Sequence, residues 1–332
     1  MSRLILAVPS KGRLEENAAA LFTEAGVKLK RAGARGYTGT VAGIDAIEVQ
    51  YVSASEIAAR LADGSVHFGI TGEDLLREEV PDLDSSVQLV LPLGFGRADV
   101  VVAIPDGWVD VRRMGDLAEV AGDFRSQHGK RLRVATKYTQ LAAEFFARHG
   151  LVDYVIVQSF GATEAAPNSG AAEAIVDITS TGATLVANQL RVPDDGIILK
   201  SEANLAASLK ADWSAEARGA AKKLLSRLAA YNRAQEYVQI TLSAATGMDG
   251  PSLSPDDLRV LLDSYGAIED QYFQGGTSTG GSFYGFQVPQ KNQDGFIEAA
   301  MQKGFARAAV SKLDFVYEQS NPLYDRLMGA VS

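Results

Sequence analysis

AIVDITSTGATLVANQL, residues 174–190, is the stretch whose reading decides the fold. An apolar strand over Ala174–Ile178 carries one acid, Asp177, and runs directly into Thr179-Ser180-Thr181-Gly182-Ala183-Thr184, with a helix expected after it. Strand, glycine-hydroxyl turn and helix in that order suit a phosphate. N–H groups made approachable by Gly182, the hydroxyls of Thr181 and Thr184, and the positive end of the following helix can converge on one phosphate group. The acid at the strand end then meets a ribose hydroxyl, which points to a sugar phosphate. Such turns are common between strands and helices, so an ordinary turn is the equal alternative at this stage.

The segment upstream shifts that balance. Glu164-Ala165-Ala166-Pro167-Asn168-Ser169-Gly170 is a second polar turn, about a dozen residues before Asp177, and it too follows a strand. Two such turns on adjacent strand ends would bring Glu164 and Asp177 to one ligand.

Residues 1–210 alternate strand-like and helix-like segments. Strands are expected at Leu4–Val8, Ile47–Val52, His67–Thr71, Val87–Leu93, Ala98–Ile104, Leu132–Thr136 and Tyr154–Phe160. Helices are expected at Leu14–Ala25, after the capping pattern Ser53-Ala54-Ser55-Glu56, near Met114–His128 and at Thr139–His149. The alternation implies mainly parallel sheets covered by helices on both faces. Ligands of open α/β sheets sit at the carboxyl ends of strands, so the turns are where function is sought. Gly94-Phe95-Gly96 marks the expected crossing from one lobe to a second, with a return near Gly196–Asn204.

Pro9-Ser10-Lys11-Gly12-Arg13-Leu14 places two basic residues at a helix start, where they oppose the macrodipole. A bound anion would offset that cost; solvated side chains pointing away are the alternative. Lys137 and Tyr138 follow a strand and offer a cation and an aromatic face for phosphate contact or adenine stacking, although a surface tyrosine is equally ordinary. Glu73 and Asp74 open a helix, where capping alone accounts for two acids. Arg97, after the glycine pair, reaches the cleft or solvent. His67, His128 and His149 lack metal-ligand spacing and receive no chemistry.

Trp213–Gln235 reads as a connecting helix. Beyond it come strand Tyr237–Ser243, helix Ser254–Tyr265, strands Ala267–Phe273 and Phe283–Val288, helix Asp294–Lys303 and strand Ala308–Tyr317, a ferredoxin-like βαββαβ order. The run Gly275–Gly281 reads as a hairpin loop; no helix follows it, which disfavours a phosphate role.

Composition sets outer bounds. The chain has 332 residues, 46% of them apolar, enough for a substantial core in two or three domains. It contains no cysteine, which excludes disulfides and thiolate metal sites. The apolar run near the N-terminus is too short for a signal peptide, and no stretch approaches the roughly 20 residues of a membrane span, so a cytoplasmic protein is expected. A net charge of −9 argues against a duplex nucleic-acid surface, while a small anion can still be met locally.

Taken together, SKGRL (10–14), GITGEDLL (69–76), LGFG (93–96), ATKY (135–138) and EAAPNSGAAEAIVDITSTGATLVANQL (164–190) resemble the ATP phosphoribosyltransferase family, the first enzyme of histidine biosynthesis. The likeness covers about residues 1–210. It implies a two-lobed α/β region of the type II periplasmic-binding-protein kind, with 1–95 and 190–210 in lobe I, 96–189 in lobe II, 211–235 as connecting helix and 236–332 as a C-terminal ACT-type domain. The common phosphoribosyltransferases place two adjacent acids before their TGxT loop, whereas Asp177 is flanked by Val176 and Ile178. That departure favours this family.

By resemblance, Asp177 binds the ribose hydroxyls of phosphoribosyl pyrophosphate (PRPP), and Thr179, Ser180, Thr181, Gly182, Ala183 and Thr184 hold its 5-phosphate. Lys11, Glu164 and Asp177 are the implied catalytic residues. Ser10, Arg13, Glu73, Asp74, Arg97, Lys137 and Tyr138 line the ATP or pyrophosphate part. Magnesium accompanies the phosphates, with no metal-contacting residue assigned. The implied reaction joins ring nitrogen 1 of ATP to the anomeric carbon of PRPP. Long-form members carry the ACT-type domain, bind histidine as inhibitor and form dimers or hexamers; short forms require a separate subunit. The glycine-rich hairpin and the tail 320–332 depart from the expected domain. A non-catalytic nucleotide- or solute-binding protein, or a silent regulatory paralogue, is the alternative.

Overall fold

The computed structural model describes residues 3–33, 36–159, 161–243, 254–274 and 282–331. In chain order, the first lobe contains β1 (Leu4–Pro9), α1 (Gly12–Glu24), β2 (Leu29–Arg31), β3 (Thr38–Val41), β4 (Ile44–Val52), α2 (Ala54–Asp63), β5 (Phe68–Gly72), α3 (Glu73–Glu79), α4 (Leu83–Ser86) and β6 (Val87–Pro92). The second contains β7 (Ala98–Pro105), α5 (Met114–His128), β8 (Leu132–Thr136), α6 (Thr139–Arg148), β9 (Tyr154–Gln158), β10 (Ala174–Thr179), α7 (Ala183–Ala187), β11 (Leu190–Arg191) and β12 (Ile197–Ser201). β13 (Ala203–Ser208) then returns to the first.

The first sheet has the order β2-β3-β4-β1-β5-β13-β6. β1 lies parallel to both β4 and β5, and all but one of its residues are buried, as expected of a central strand covered on both faces. α2 begins where the Ser53 hydroxyl accepts the Glu56 N–H at 3.2 Å. Its apolar face, Ile57, Ala58 and Leu61, packs with Val66, Leu76 and Val87.

The second sheet has the order β11-β7-β10-β8-β9, with β12 also on β7. Its core runs from Val100, Val102 and Ile104 of β7 through Val134 and Val176 to Met114, Leu117, Phe145 and Phe146 of the covering helices.

Two features of this topology correct the sequence reading. Residues 190–201, expected in lobe I, belong to the second sheet: Leu190 pairs with Pro105, and Ile197–Ser201 run antiparallel to β7. The return is therefore confined to Glu202. β9 and β10 are not neighbours either, because β8 lies between them.

Both lobes form one compact unit, containing the described residues up to Leu21, Lys28–Ala221 and those from Arg326 onward. Helix α11 (Pro322–Ala330), unforeseen in the sequence, has its residues from Arg326 onward in this unit, where the Arg326 guanidinium donates to the Val90 carbonyl at 2.8 Å. The tail thus divides at Arg326 and does not lie wholly in a C-terminal domain.

The second unit comprises Phe22–Val27 and Lys222–Asp325. It takes the later turns of α8 (Ala215–Glu236), which hold the end of α1 through Tyr231 Oη to Glu24 at 2.5 Å and Arg227 to the Gly26 carbonyl at 3.0 Å. β14 (Tyr237–Ser243), α9 (Pro255–Tyr265), β15 (Ile268–Gln274), β16 (Ser282–Pro289), α10 (Gln293–Gln302) and β17 (Arg307–Lys312) follow in the ferredoxin-like order. Their antiparallel sheet runs β15-β16-β14-β17. Alternate β14 residues Val238, Ile240 and Leu242 face Leu261, Phe286, Phe296 and Phe305. β17 stops at Lys312, short of the expected Tyr317, and the run Gly275–Gly281 lies outside the described residues. Among the described residues no helix is long and apolar enough to cross a membrane.

Candidate active site

Strand direction gathers the expected groups on two facing edges. β8, β9 and β10 are mutually parallel and end at Thr136, Gln158 and Thr179. Antiparallel β7 begins there, with Asp99 opposite Thr179, and β12 ends there, with Ser201 opposite Ala98. In the first lobe β1, β4 and β5 end together at Pro9, Val52 and Gly72, and Ala203 pairs with Gly72. The connections 93–97 and Glu202 join these edges, so Ser10–Arg13, Glu73–Asp74, Lys137 and the 177–184 loop occupy strand ends on the two sides of a pair of crossings.

The 177–184 loop is organised by its own hydroxyls. Thr179 Oγ1 accepts the Gly182 N–H at 2.9 Å, Thr181 Oγ1 accepts the Ala183 N–H at 3.4 Å, and Ser180 Oγ donates to the Arg97 carbonyl at 3.0 Å. Gly182 has φ +75°, with nothing within 4 Å of a Cβ built there. It is therefore demanded by backbone conformation and not by space. α7 spans only Ala183–Ala187. With barely more than one turn behind it, individual N–H groups and hydroxyls carry the anion-binding capacity, and the expected helix dipole contributes little.

Asp177 is half-buried at the end of β10, and its Oδ1 accepts the Ile178 N–H at 2.8 Å. Burial raises its pKa above 3.8; the Ile178 bond and the Lys137 ammonium oppose that shift, while the Glu164 carboxylate adds to it. Glu164 thus reaches the neighbourhood of Asp177 although β8 separates their strands. The reason is the 3-10 turn Thr163–Ala165, which packs against β10. Thr163 is buried there, donating to Ser159 Oγ at 2.9 Å.

The first-lobe groups are of two kinds. Lys11 and Arg13 are exposed, and neither forms an ion pair with another described residue. Ser10 is held through its N–H to the Val52 carbonyl at 2.9 Å. Glu73 and Asp74, by contrast, are engaged. Glu73 pairs with Arg77 at 2.7 Å, and Asp74 accepts from Tyr138 Oη at 2.8 Å and from Ser201 Oγ at 2.8 Å. Arg97 lies 3.8 Å from Glu202, one crossing paired with the other.

Tyr138 corrects its sequence reading. Its ring is 1% exposed within the second-lobe core, and its face offers no platform for adenine. The neighbouring Lys137 is exposed, its ammonium 4.8 Å from that ring. Glu78, Ser201 and Glu202 escape sequence reasoning because their partners lie far along the chain, and Thr163 because its burial comes from the 3-10 turn packing on β10. Glu78 has no local signature at all, yet its carboxylate accepts the N–H groups of Gln140 and Leu141.

Comparison with known proteins identifies the family. Residues 53–230 match the HisG family, ATP phosphoribosyltransferase. The chain is 51% identical over 324 residues to an ATP phosphoribosyltransferase of Rhodopseudomonas palustris (strain BisB18), covering 97% of each chain. It is 49% identical over 325 residues to that of Nitrobacter winogradskyi, covering 98% of this chain and 97% of the relative. Among solved structures, the ATP phosphoribosyl transferase (HisG:HisZ) complex from Thermotoga maritima aligns with a TM-score of 0.53 at 25% identity, over 68% of this chain and 96% of that one. A half-identical match along almost the whole length, laid over two joined strand-end edges, establishes that the chain belongs to the ATP phosphoribosyltransferase family, the glycosyltransferases of the first step of histidine biosynthesis.

Proposed function

We propose that the 177–184 loop is the PRPP end of the site and that the first-lobe turn Ser10–Arg13 with Lys137 forms its ATP and pyrophosphate end. The observation that carries this reading is the placement of a hydroxyl-ordered loop beside Asp177 on the strand-end edge of the second lobe. Asp177 accepts from the ribose hydroxyls, and Thr179–Thr184 surround the 5-phosphate with hydroxyl and N–H donors. Lys11, Arg13 and Lys137 supply positive charge for the remaining phosphates, with Glu164 beside Asp177 facing the cationic side of the reacting sugar.

In the reaction, ring nitrogen 1 of the ATP adenine attacks the anomeric carbon of PRPP. The new C–N bond forms as the carbon–oxygen bond to pyrophosphate breaks, and that bond's electron pair leaves with the pyrophosphate. A ring nitrogen is nucleophilic without help, so no activated serine or cysteine is needed. The protein contributes orientation of two substrates and carboxylates near a carbon that gains positive charge.

Among the described residues no group of three or more acidic or histidine side chains forms a metal cage. Magnesium binds proteins through one or two carboxylates plus substrate phosphates. Asp177 and Glu164 fit that mode and would hold the ion, which would supply charge neutralisation to the pyrophosphate. A cytoplasmic setting suits these substrates.

The second unit is read as an ACT-type regulatory domain that binds histidine, in a homo-oligomer. Its ferredoxin-like sheet supports the reading, as does the alignment of full-length relatives across it. The decisive experiment incubates the protein with ATP, PRPP and magnesium, follows phosphoribosyl-ATP, and titrates histidine. Product formation suppressed by histidine is expected. No product would leave a binding protein or silent paralogue on the same lobes, and product insensitive to histidine would remove only the regulatory reading.

A further inference from the structure

We propose that Asp74 and Glu78, two carboxylates one turn apart on α3, are positioning residues that clamp the second lobe against the first and set the distance across which the two substrates meet. The inference rests on the reading of the strand-end edges as the site, and it removes Asp74 from the set of ligand groups.

Asp74 sits on the first lobe, yet both its side-chain partners come from second-lobe segments. Tyr138, the N-cap residue of α6, donates its hydroxyl to Oδ2, and Ser201, the last residue of β12, donates to Oδ1. The Asp74 N–H returns to Ser201 Oγ at 3.0 Å. A Cβ at Gly72 would lie 2.2 Å from Asp74 Oδ1, so the absence of a side chain there is a condition of this arrangement. Burial, reinforced by the Asp74 charge, pushes the Tyr138 phenol far up, and it remains a donor at any working pH.

Glu78 repeats the logic four residues on. Helix α6 has no side-chain cap of its own. Instead Glu78 accepts from Thr139 Oγ1 at 3.0 Å, from Gln140 N at 3.0 Å and from Leu141 N at 3.0 Å. A carboxylate at a helix N-terminus satisfies donors that would otherwise be orphaned and is favoured by the local dipole. Here that cap is supplied across the lobe boundary. Residues i and i+4 share one helix face, so one side of α3 fixes both Tyr138 and the start of α6, immediately beyond Lys137 and the groups around Asp177. Both Asp74 oxygens are thereby committed to second-lobe donors, which assigns the side chain to the clamp.

The test exploits the absence of cysteine. Lys30→Cys and Val109→Cys, both exposed and one on each lobe, accept spin labels that report the interlobe distance. Tyr138→Phe keeps the buried ring and removes only the donor. It is expected to broaden the distance distribution and lower kcat about 10-fold, while PRPP affinity measured without ATP stays within about 2-fold. Asp74→Asn with Tyr138→Phe should be no worse than the poorer single variant, because the two act through one bond. Glu78→Ala should broaden the distribution, and Glu78→Gln, which keeps an acceptor, should partly restore it. An unchanged distribution in Tyr138→Phe and Glu78→Ala overturns the clamp. So does a loss of magnesium-dependent pyrophosphate affinity in Asp74→Asn that Tyr138→Phe does not share. Were the unsubstituted protein to make no phosphoribosyl-ATP, the functional reading would fail while the distances still decided the clamp.

Discussion

The two strand-end edges of the catalytic region are built on opposite plans. On the second lobe the proposed PRPP-binding groups lie within Asp177–Thr184 and are ordered mainly by contacts inside that segment, Gly182 to Thr179 and Ala183 to Thr181. On the first lobe the polar groups are scattered over turns at residues 10–13 and 73–74, and Asp74 among them is tied to partners more than 60 residues away. The difference teaches a division of labour. Hydroxyls and N–H groups can hold a phosphate from one short stretch of chain, whereas bringing a second substrate to it requires registration between lobes, which only long-range contacts provide.

The sharpest way to break this comparison is to remove one charge from each edge. Asp177→Asn keeps the shape and loses the charge that strengthens its hydrogen bonds, each worth about 1.5–3 kcal/mol. For this variant kcat/KM for PRPP should fall roughly 100-fold, with ATP affinity within about 3-fold of the parent. Lys11→Ala should do the reverse, weakening ATP about 10-fold and leaving binary PRPP affinity nearly intact. Calorimetry with each ligand separately distinguishes them, and equal losses for both ligands in either variant would collapse the two edges into one undivided site.

A smaller effect tests whether the second-lobe loop is ordered by conformation. Gly182→Ala places a side chain in open space but at φ +75°, costing about 1 kcal/mol in an L residue. PRPP affinity should drop about 5-fold with a slight fall in melting temperature. Gly182→Asn, which tolerates the left-handed region better, should recover most of both. If Ala and Asn prove equally damaging, a steric demand at this turn would replace the conformational one.

The same contrast explains what could be read from sequence. Strand, turn and helix around Asp177 were legible because each is a local pattern, and so were the Ser53 start of α2 and the βαββαβ order after Tyr237. β13 was not. ANLAAS is built largely of small residues with little strand propensity, and its identity as a strand comes from pairing on both sides with β5 and β6 in a fully buried position. Tyr138 was misread for a related reason. Its neighbours in sequence suggest a surface turn, and only the packing of Val134, Leu141 and Phe145 around it, with Asp74 across the boundary, turns an apparent aromatic platform into a buried donor. Glu78 carried no signal, since a carboxylate that caps another lobe's helix looks like any surface acid on its own.

The smallest predicted effect separates the lobes by proton linkage. His67, 5% exposed in the first lobe, accepts the Ile5 N–H on Nδ1 at 3.1 Å and contacts the Asp212 carbonyl through Nε2 at 2.9 Å. That pattern fixes the neutral ring with its hydrogen on Nε2. Protonation would set a second N–H against the Ile5 donor. Burial accordingly lowers its pKa below 6.5, so the unfolded chain binds the extra proton in the interval beneath that value. Stability attributable to this histidine is therefore complete above about pH 6.5 and declines as the pH falls toward the folded pKa, with a limiting slope of about 1.4 kcal/mol per pH unit. No described histidine of the second lobe is as deeply buried: His128 is exposed and His149 half-buried beside Asp195. Thermal unfolding between about pH 5 and 8 should show this dependence, and His67→Gln should lower stability at the alkaline end while flattening the acid limb. An acid limb as steep in His67→Gln as in the parent would move the sensitivity elsewhere and dissolve this distinction between the lobes.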